Sequence, residues 1–446
     1  MSSASAIQLL VLMAVLTIVS IRWQRALLLA LPFLVVLNGL PLGIAGFTVR
    51  LDQLAACALC IPLVVGVVAK RRAFHADRAT WFLAGILLSN VVASALNSPA
   101  TAYSFAQCAN LATAWVIYIV VINFAESPED CSALLQRFLV AALLATTAAS
   151  LAFLAATAGL SIGGADVSAT AAENLVRPFG AYGTMLEPNI LGSFSAASLV
   201  LSAGLLSQRA VFANGSQRRL ALATAASSAV ALLLSFTRSA WLGAILGLVL
   251  VGILARGTGS LRLRRVVVPI GAVVLVAAAI LLTSGTASDF LRYKILNLVN
   301  PESPTVVLRI LTYTLALQQT AAHPIVGWGT FTFAPLVAQG ADFAQFAGWK
   351  SIWIPNFLLL ALHDTGVIGL ALWIGLLGSL VVPGWKSARA ARGEGDAEAA
   401  TRGALTAALV TLLLPFLATT GFSLGYPWLL AGMLGARARW MHRDPS

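Results

Sequence analysis

The sequence of 446 residues is 59% hydrophobic and only 10% charged, and its formal net charge at pH 7 is +12. Because soluble globular domains carry about 25% charged residues, this composition excludes an ordinary water-soluble fold. The apolar residues form runs of the length that crosses a bilayer as a helix, and they do not alternate as barrel strands would. The predicted fold class is therefore all-α, a polytopic bundle of transmembrane helices.

The candidate spans number 13, or 12 if one short terminal run is omitted. They cover residues 7–21, 26–40, 54–69, 80–96, 103–124, 139–160, 190–206, 220–234, 239–254, 266–282, 357–380, 404–420 and 425–436. Two longer segments, 161–189 and 283–355, interrupt this pattern. The predicted divisions are N-terminal transmembrane helices, a first external loop, a core that includes the large external loop, and C-terminal helices with a cytoplasmic tail. These occupy residues 1–160, 161–189, 177–376 and 377–446.

Basic residues indicate how the helices are oriented, because Lys and Arg near helix ends remain on the cytoplasmic side. If the loop at 70–72 is cytoplasmic, 21 of the 28 basic residues fall inside. The others are Arg50, Arg177, Arg238, Arg292, Lys294, Arg309 and Lys350. The positive charge is spread over many short loops, so it reports membrane topology and no nucleic-acid partner is expected.

The two external segments hold the unusual residues. Residues 177–189 read RPFGAYGTMLEPN, and their Pro and Gly content predicts an ordered turn before the next helix. In the large loop, residues 305–322 have the spacing of an amphipathic helix that lies on the membrane surface or caps the bundle. This helix is predicted to end at His323-Pro324, where Gly327 and Gly329 permit a tight turn or close approach to a ligand.

A succession of motifs carries a family resemblance. They are RPFGAYGTMLEPN at 177–189, FTRSA at 236–240, Arg309, HPIVGWG at 323–329, and Asn356 followed by HDTGVIG at 363–369. In order and spacing they resemble the bacterial O-antigen ligase and polysaccharide polymerase superfamily, most strongly over 177–376. The resemblance implies a multi-pass enzyme of the bacterial cytoplasmic (inner) membrane. At the outer face it would transfer a glycan from a polyprenyl diphosphate carrier to lipid A core or to another lipid-linked repeat unit.

One position departs from the family pattern. The ligase pattern has a His immediately before the Asn, whereas Pro355 precedes Asn356 here. The proposed base cannot be carried over to that residue. This favours a polymerase or a variant transferase over a standard lipid A core ligase.

The predicted catalytic arginines are Arg177 and Arg309, with Arg238 as a substrate-binding residue. A glycosyl diphosphate already has a good leaving group, so a transferase mainly needs cations on the departing diphosphate and a base for the acceptor hydroxyl. Arg suits the first task because its planar fork bonds two phosphate oxygens and remains charged. The alternative is that each arginine pairs with an acid or extends to the membrane interface.

The candidates for the base are His363, Asp364 and Glu187. Asp364 is the only acid placed inside a predicted span, and an ionisable residue there is costly unless it functions. Alternatively, Asp364 bonds a neighbouring helix and His363 is a satisfied core histidine. Further candidates for substrate binding are Asn189, Asn356 and His323. Alternatively, each Asn serves only as the N-cap of a helix, and His323 shapes its turn.

No cofactor is expected, and the acids and histidines show no metal-ligand spacing, so a metal-independent reaction is predicted. The expected partners are a polyprenyl-diphosphate-linked glycan, a glycan or lipid acceptor, the bilayer and other polysaccharide assembly proteins. Two alternatives stay open. One is a secondary transporter or flippase of lipid-linked glycans, and the other is a noncatalytic component of a polysaccharide export complex.

Overall fold

The computed structural model describes residues 17–44, 47–160, 162–167, 179–207, 211–212, 214–255, 304–339, 352–390 and 397–441, with isolated positions 15, 271, 279, 285, 288 and 289. The helices of these regions are α1 (Gln24–Leu34), α2 (Leu51–Val68), α3 (Arg78–Asn97), α4 (Thr101–Phe124), α5 (Pro128–Thr157), α6 (Pro188–Leu206), α7 (Gly215–Leu234), α8 (Arg238–Ala255), α9 (Pro304–Thr320), α10 (Phe333–Gln339), α11 (Phe357–Ala390), α12 (Ala397–Phe416) and α13 (Gly425–Met441). Short 3₁₀ helices cover Val35–Leu37 and Gly421–Ser423.

The predicted all-α polytopic class is confirmed. Within the described regions, seven helices are long and apolar enough to cross a membrane: α2, α3, α4, α5, α6, α11 and α12. Gln24–Leu37 and Arg238–Leu254 are shorter apolar helices. Most of the predicted spans at 7–21 and 266–282 lies outside the described residues.

Strands contribute only two small antiparallel pairs in the described chain. β1 (Leu42–Ile44) and β2 (Phe47–Val49) pair between α1 and α2. β3 (Ala165–Asp166) and β4 (Gly180–Ala181) pair in the segment between α5 and α6. The second pair brings the chain back to α6, in agreement with the ordered turn predicted there.

Helix α5 begins earlier than its apolar run. The span was predicted from residue 139, but the helix starts at Pro128. Ser127 accepts a hydrogen bond from the Asp130 amide at 3.1 Å, and Pro128 takes the first helical position, where no amide hydrogen is needed. The added turns mix polar residues with buried apolar ones, including Leu134, Leu135 and Phe138.

Helix α6 forms the centre of the bundle, with α7, α8 and α12 packed around it. Every residue of α6 except Asn189 is buried. Small residues allow this close approach, because a side chain on Gly204 would overlap Ala404 of α12. The N-terminus of α6 is thus fixed from several sides, and it carries Glu187 and Asn189.

The helix bundle has two ends, which we name by a residue of each. One end, called the Glu187 end, contains the starts of α6, α8 and α11 and the end of α12. The opposite end, called the Lys70 end, contains the loop after α2 and the starts of α5 and α12. Ion pairs Arg25–Asp130, Arg72–Glu126 and Arg437–Glu398 lie at the Lys70 end.

Candidate functional site

The turn after α12, residues 417–419, is hydrogen-bonded to several elements of the Glu187 end. Arg309 of α9 donates to the Ala418 carbonyl at 3.4 Å. Tyr313, one helical turn after Arg309, donates to the carbonyls of Leu417 at 3.2 Å and Pro355 at 3.0 Å. The turn therefore holds α9 and the start of α11 together, and Arg309 is fixed there.

Glu187 reaches the same turn from the other side. It is the N-cap residue of α6 but makes no side-chain capping bond, and its carboxyl group is hydrogen-bonded to the side chains of Asn189 and Thr419. Burial raises the pKa of Glu187 from 4.5 to about 7, against the opposing effect of those two hydrogen bonds. Thr419 follows Ala418 directly, so Glu187 and Arg309 bond to adjacent residues.

Arg238 enters the same region through its neighbour. Thr237 donates to the Pro188 carbonyl at 3.1 Å and lies 3.5 Å from the Asn189 side-chain oxygen. Arg238 is the first residue of α8 and follows Thr237. The start of α8, which carries Arg238, thus lies beside the start of α6 at Pro188 and Asn189.

Arg309 is a buried cation that has no acidic partner among the described residues. Burial lowers the pKa of its guanidinium, and nearby Tyr313 opposes that shift. Among the described residues, Arg309 makes no ion pair, and its one hydrogen bond goes to the neutral carbonyl of Ala418. A desolvated cation without a paired acid is suited to bind a phosphate group. Arg177 lies outside the described residues.

Asn356 serves as the N-cap of α11. Its side-chain oxygen accepts from the amides of Leu358 at 3.0 Å and Leu359 at 3.1 Å. Tyr313 also bonds its side chain. Asn356 therefore positions the helix start, and Pro355, which replaces the expected His, contributes its carbonyl to Tyr313.

His363 and Asp364 are buried further along α11, where Asp364 lines a pocket together with Thr420 and Ser423 from the segment after α12. His363 Nδ1 lies 2.9 Å from Asp364 Oδ1, and Nε2 lies 2.9 Å from Gln319 Oε1 of α9. The second oxygen of Asp364 accepts from the Phe331 amide at 2.7 Å. Both ring nitrogens and both carboxylate oxygens thus have partners within the protein, an arrangement that joins α9 to α11.

The 323–329 turn fills a break in α11. The helix is interrupted at Gly366, whose φ is 63°. The Val367 amide donates to the Pro324 carbonyl at 2.9 Å, while the amides of Trp328 and Gly329 donate to α11 carbonyls at 3.0 and 2.8 Å. Backbone groups freed by the break are therefore bonded by the turn, as a membrane interior requires.

His323 shapes this turn. Its ring meets the Trp328 ring edge-on with centroids 4.3 Å apart. The Trp328 ring nitrogen donates to the Gln319 carbonyl at 2.7 Å, so the pair closes the end of α9. This is the alternative to substrate binding considered for His323.

Sequence reasoning missed Tyr313 and Thr419. Tyr313 could have been found, because it lies four residues after Arg309 on a predicted helix and so shares its face. Thr419 lies near the end of the predicted span 404–420 and belongs to no motif. Within the described chain, no group of three or more His, Cys, Asp or Glu residues is arranged to hold a metal ion.

Comparison with known proteins gives a partial match. Residues 223–374 match the sequence profile of a family described as O-antigen ligase. The matched region begins in α7 and ends within α11, and it contains Arg238, Arg309 and the 323–329 turn. The match confirms the resemblance predicted from the motifs. A search of curated proteins found no match to the chain.

Proposed function

We propose that this membrane protein, similar to O-antigen ligases and polymerases, transfers glycans from a polyprenyl diphosphate carrier. It acts at the outer face of the cytoplasmic membrane, as a surface-polysaccharide polymerase or an O-antigen-ligase-like enzyme. One observation carries the proposal: Arg309, which has no acid partner among the described residues, and Glu187, with a pKa near 7, bond to the adjacent residues Ala418 and Thr419. A guanidinium and a carboxyl group of raised pKa beside one turn support the proposal.

The reaction requires one bond to form and one to break. The acceptor hydroxyl oxygen attacks the anomeric carbon, and the bond from that carbon to the diphosphate oxygen breaks. The polyprenyl diphosphate leaves with the bonding electrons, and Glu187 takes the hydroxyl proton. Arg309 offsets the negative charge on the departing diphosphate, together with Arg238 and Arg177. Asn189 holds Glu187 and offers its amide to the sugar.

Glu187 is favoured over the His363–Asp364 pair as the base. A general base works best when its pKa lies near the operating pH, and burial brings the pKa of Glu187 to about 7. His363 has Gln319 and Asp364 on its two ring nitrogens, and Asp364 also bonds Phe331. The pair is therefore assigned to positioning α9, which carries Arg309.

A transporter or flippase is the second candidate, because transporters use interrupted helices and α11 is interrupted at Gly366. The freed backbone groups that would bind a substrate are instead bonded to the 323–329 turn. This arrangement favours the transferase. A noncatalytic role in an export complex, with other assembly proteins as partners, would not explain why Arg309 is buried without an acid partner in the described part of the chain.

Reconstitution in liposomes tests the proposal. Purified full-length protein is given a polyprenyl-diphosphate-linked oligosaccharide and an acceptor, and glycan transfer is measured by chromatography of the lipid-extracted products. If the protein is a transferase, the products are longer glycans or glycans joined to the acceptor, together with released polyprenyl diphosphate. Lipid translocation without transfer would indicate the transporter instead, and the absence of both would indicate the export component.

A further inference from the structure

A second pocket lies at the Lys70 end, opposite the proposed reaction site. Its volume is about 600 Å³ including its open mouth. The starts of α5, α7 and α12 and the ends of α6 and α13 surround it. The proposed glycan transfer makes no use of this pocket.

The walls of the pocket combine apolar and charged groups. Its apolar side is formed by Leu135, Leu139, Leu205 and Leu220. Its charged side is formed by Glu398 of α12 and Arg437 of α13, which are joined by an ion pair. Ser132 and Gln136 lie exposed at its mouth. A ligand that fits these walls has an apolar part and a polar, charged part.

The charged side retains unused hydrogen-bonding groups. Arg437 is 5% exposed, and one of its terminal nitrogens bonds Glu398 Oε2. In the part of the chain that the structure describes, the Arg437 Nε donor and the Glu398 Oε1 acceptor are buried without a hydrogen-bond partner, and Oε1 lies 3.8 Å from Arg402 Nε in an ion pair. Buried polar atoms in native proteins are normally satisfied by protein, water or ligand. The pocket therefore offers a cationic donor beside an anionic acceptor.

We infer that this pocket binds an aminoalkyl phosphate ester, the chemistry of a phosphoethanolamine headgroup. The phosphate accepts from Arg437 Nε, since arginine binds phosphate through its planar fork. The ammonium group donates to Glu398 Oε1. The leucine side contacts the glycerol and first acyl carbons, which makes a membrane phospholipid a tighter ligand than the soluble ester. The apolar wall and the bundle-end position favour the lipid source.

Native mass spectrometry of the purified full-length protein in detergent tests this inference. The probes are phosphatidylethanolamine, phosphatidylglycerol, diacylglycerol and soluble phosphoethanolamine, each titrated against delipidated protein. We expect phosphatidylethanolamine to bind at least about tenfold more tightly than phosphatidylglycerol, which lacks the ammonium, and than diacylglycerol, which lacks the phosphate as well. Equal binding of these three lipids would overturn the inference.

Two variants keep the test specific. Arg437→Gln removes the phosphate donor, and Ser132→Trp obstructs the exposed mouth while leaving the ion pair intact. Each should weaken phosphatidylethanolamine binding about tenfold, whereas Arg137→Gln, an exposed change on α5 outside the pocket lining, should not. If Ser132→Trp is folded and binds the lipid as wild type does, the pocket is not the site. Tighter binding of phosphoethanolamine than of the lipid would assign the same chemistry to a soluble source.

Discussion

In the proposed mechanism, burial gives Glu187 and Arg309 the properties that glycan transfer needs. Burial favours the uncharged form of both groups, raising the pKa of Glu187 and lowering that of Arg309. For the carboxylate, this produces a base that is half-ionised near neutral pH. For the guanidinium, it creates a cation that gains stability when an anion arrives.

Arg309→Ala should reduce glycan transfer by at least about 100-fold, because the leaving diphosphate loses a charged bidentate partner. Arg309→Lys should restore little, since an ammonium lacks the planar fork. Arg177→Ala is predicted to act similarly. Transfer is measured in liposomes at matched protein levels, with Arg219→Ala at the Lys70 end as the control. Near-normal transfer by Arg309→Ala would remove this residue from the mechanism.

Glu187→Gln should lower transfer by about 100- to 10,000-fold, as expected for loss of a positioned base. In the wild-type protein, the rate should rise with pH through about 7, because only the ionised carboxylate accepts the proton. The exposed Glu129→Gln variant provides the control. The measurement is the pH dependence of the transfer rate. If the profile of Glu187→Gln matched that of the wild type, another group would be the base.

Protein stability should respond to pH in the opposite direction. The folded-state pKa of Glu187 is raised from 4.5 to about 7, so the folded protein binds this proton more tightly than the unfolded chain. The contribution is complete below about pH 4.5 and is lost as the pH rises through about 7. Glu187→Gln should flatten this part of the stability profile, as measured by thermal unfolding in detergent.

At the scale of elements, α11 depends on glycine at its break. Gly366 has a positive φ, and a side chain there would overlap the backbone of Ile325. Gly366→Ala should therefore destabilise the protein by about 1–2 kcal/mol from backbone strain, and by about 1–3 kcal/mol more from displacement of the 323–329 turn. Gly378→Ala in the same helix is the matched control, because a side chain there meets nothing within 4 Å. Equal thermal unfolding of the two variants would contradict the role given to the break.

The sequence predicted the helices more accurately than the contacts between residues that are distant in the chain. The runs at 54–69 and 80–96 became α2 and α3 with ends shifted by a few residues, because apolar length alone determines a span. Residues 305–322 became α9, Pro304–Thr320, because the apolar spacing and His323-Pro324 define it. The partnership of Glu187 with Thr419 was not predictable, since it joins residues 232 positions apart. Likewise, no local pattern shows that the 323–329 turn fills the break at Gly366.

At the scale of the whole molecule, the distribution of charge determines which end faces the cytoplasm. The predicted orientation places the Lys70 end inside and α10 outside. With the four native cysteines replaced by serine, a single Gln339→Cys should react with a membrane-impermeant maleimide in intact cells. Lys70→Cys, also exposed, should react only after permeabilisation. The reverse labelling pattern would invert the topology and exclude an outer-face transferase.

The docking of the 323–329 turn into α11 also bears on the order of events during biosynthesis. Ribosomes synthesise the chain from its N-terminus, so the 323–329 turn emerges before α11. When the broken helix leaves the translocon, the carbonyls and amides that complete it have already been made. A circular permutant that began at α11 would expose the unbonded groups around Gly366 to lipid first, and its membrane insertion should be correspondingly poor.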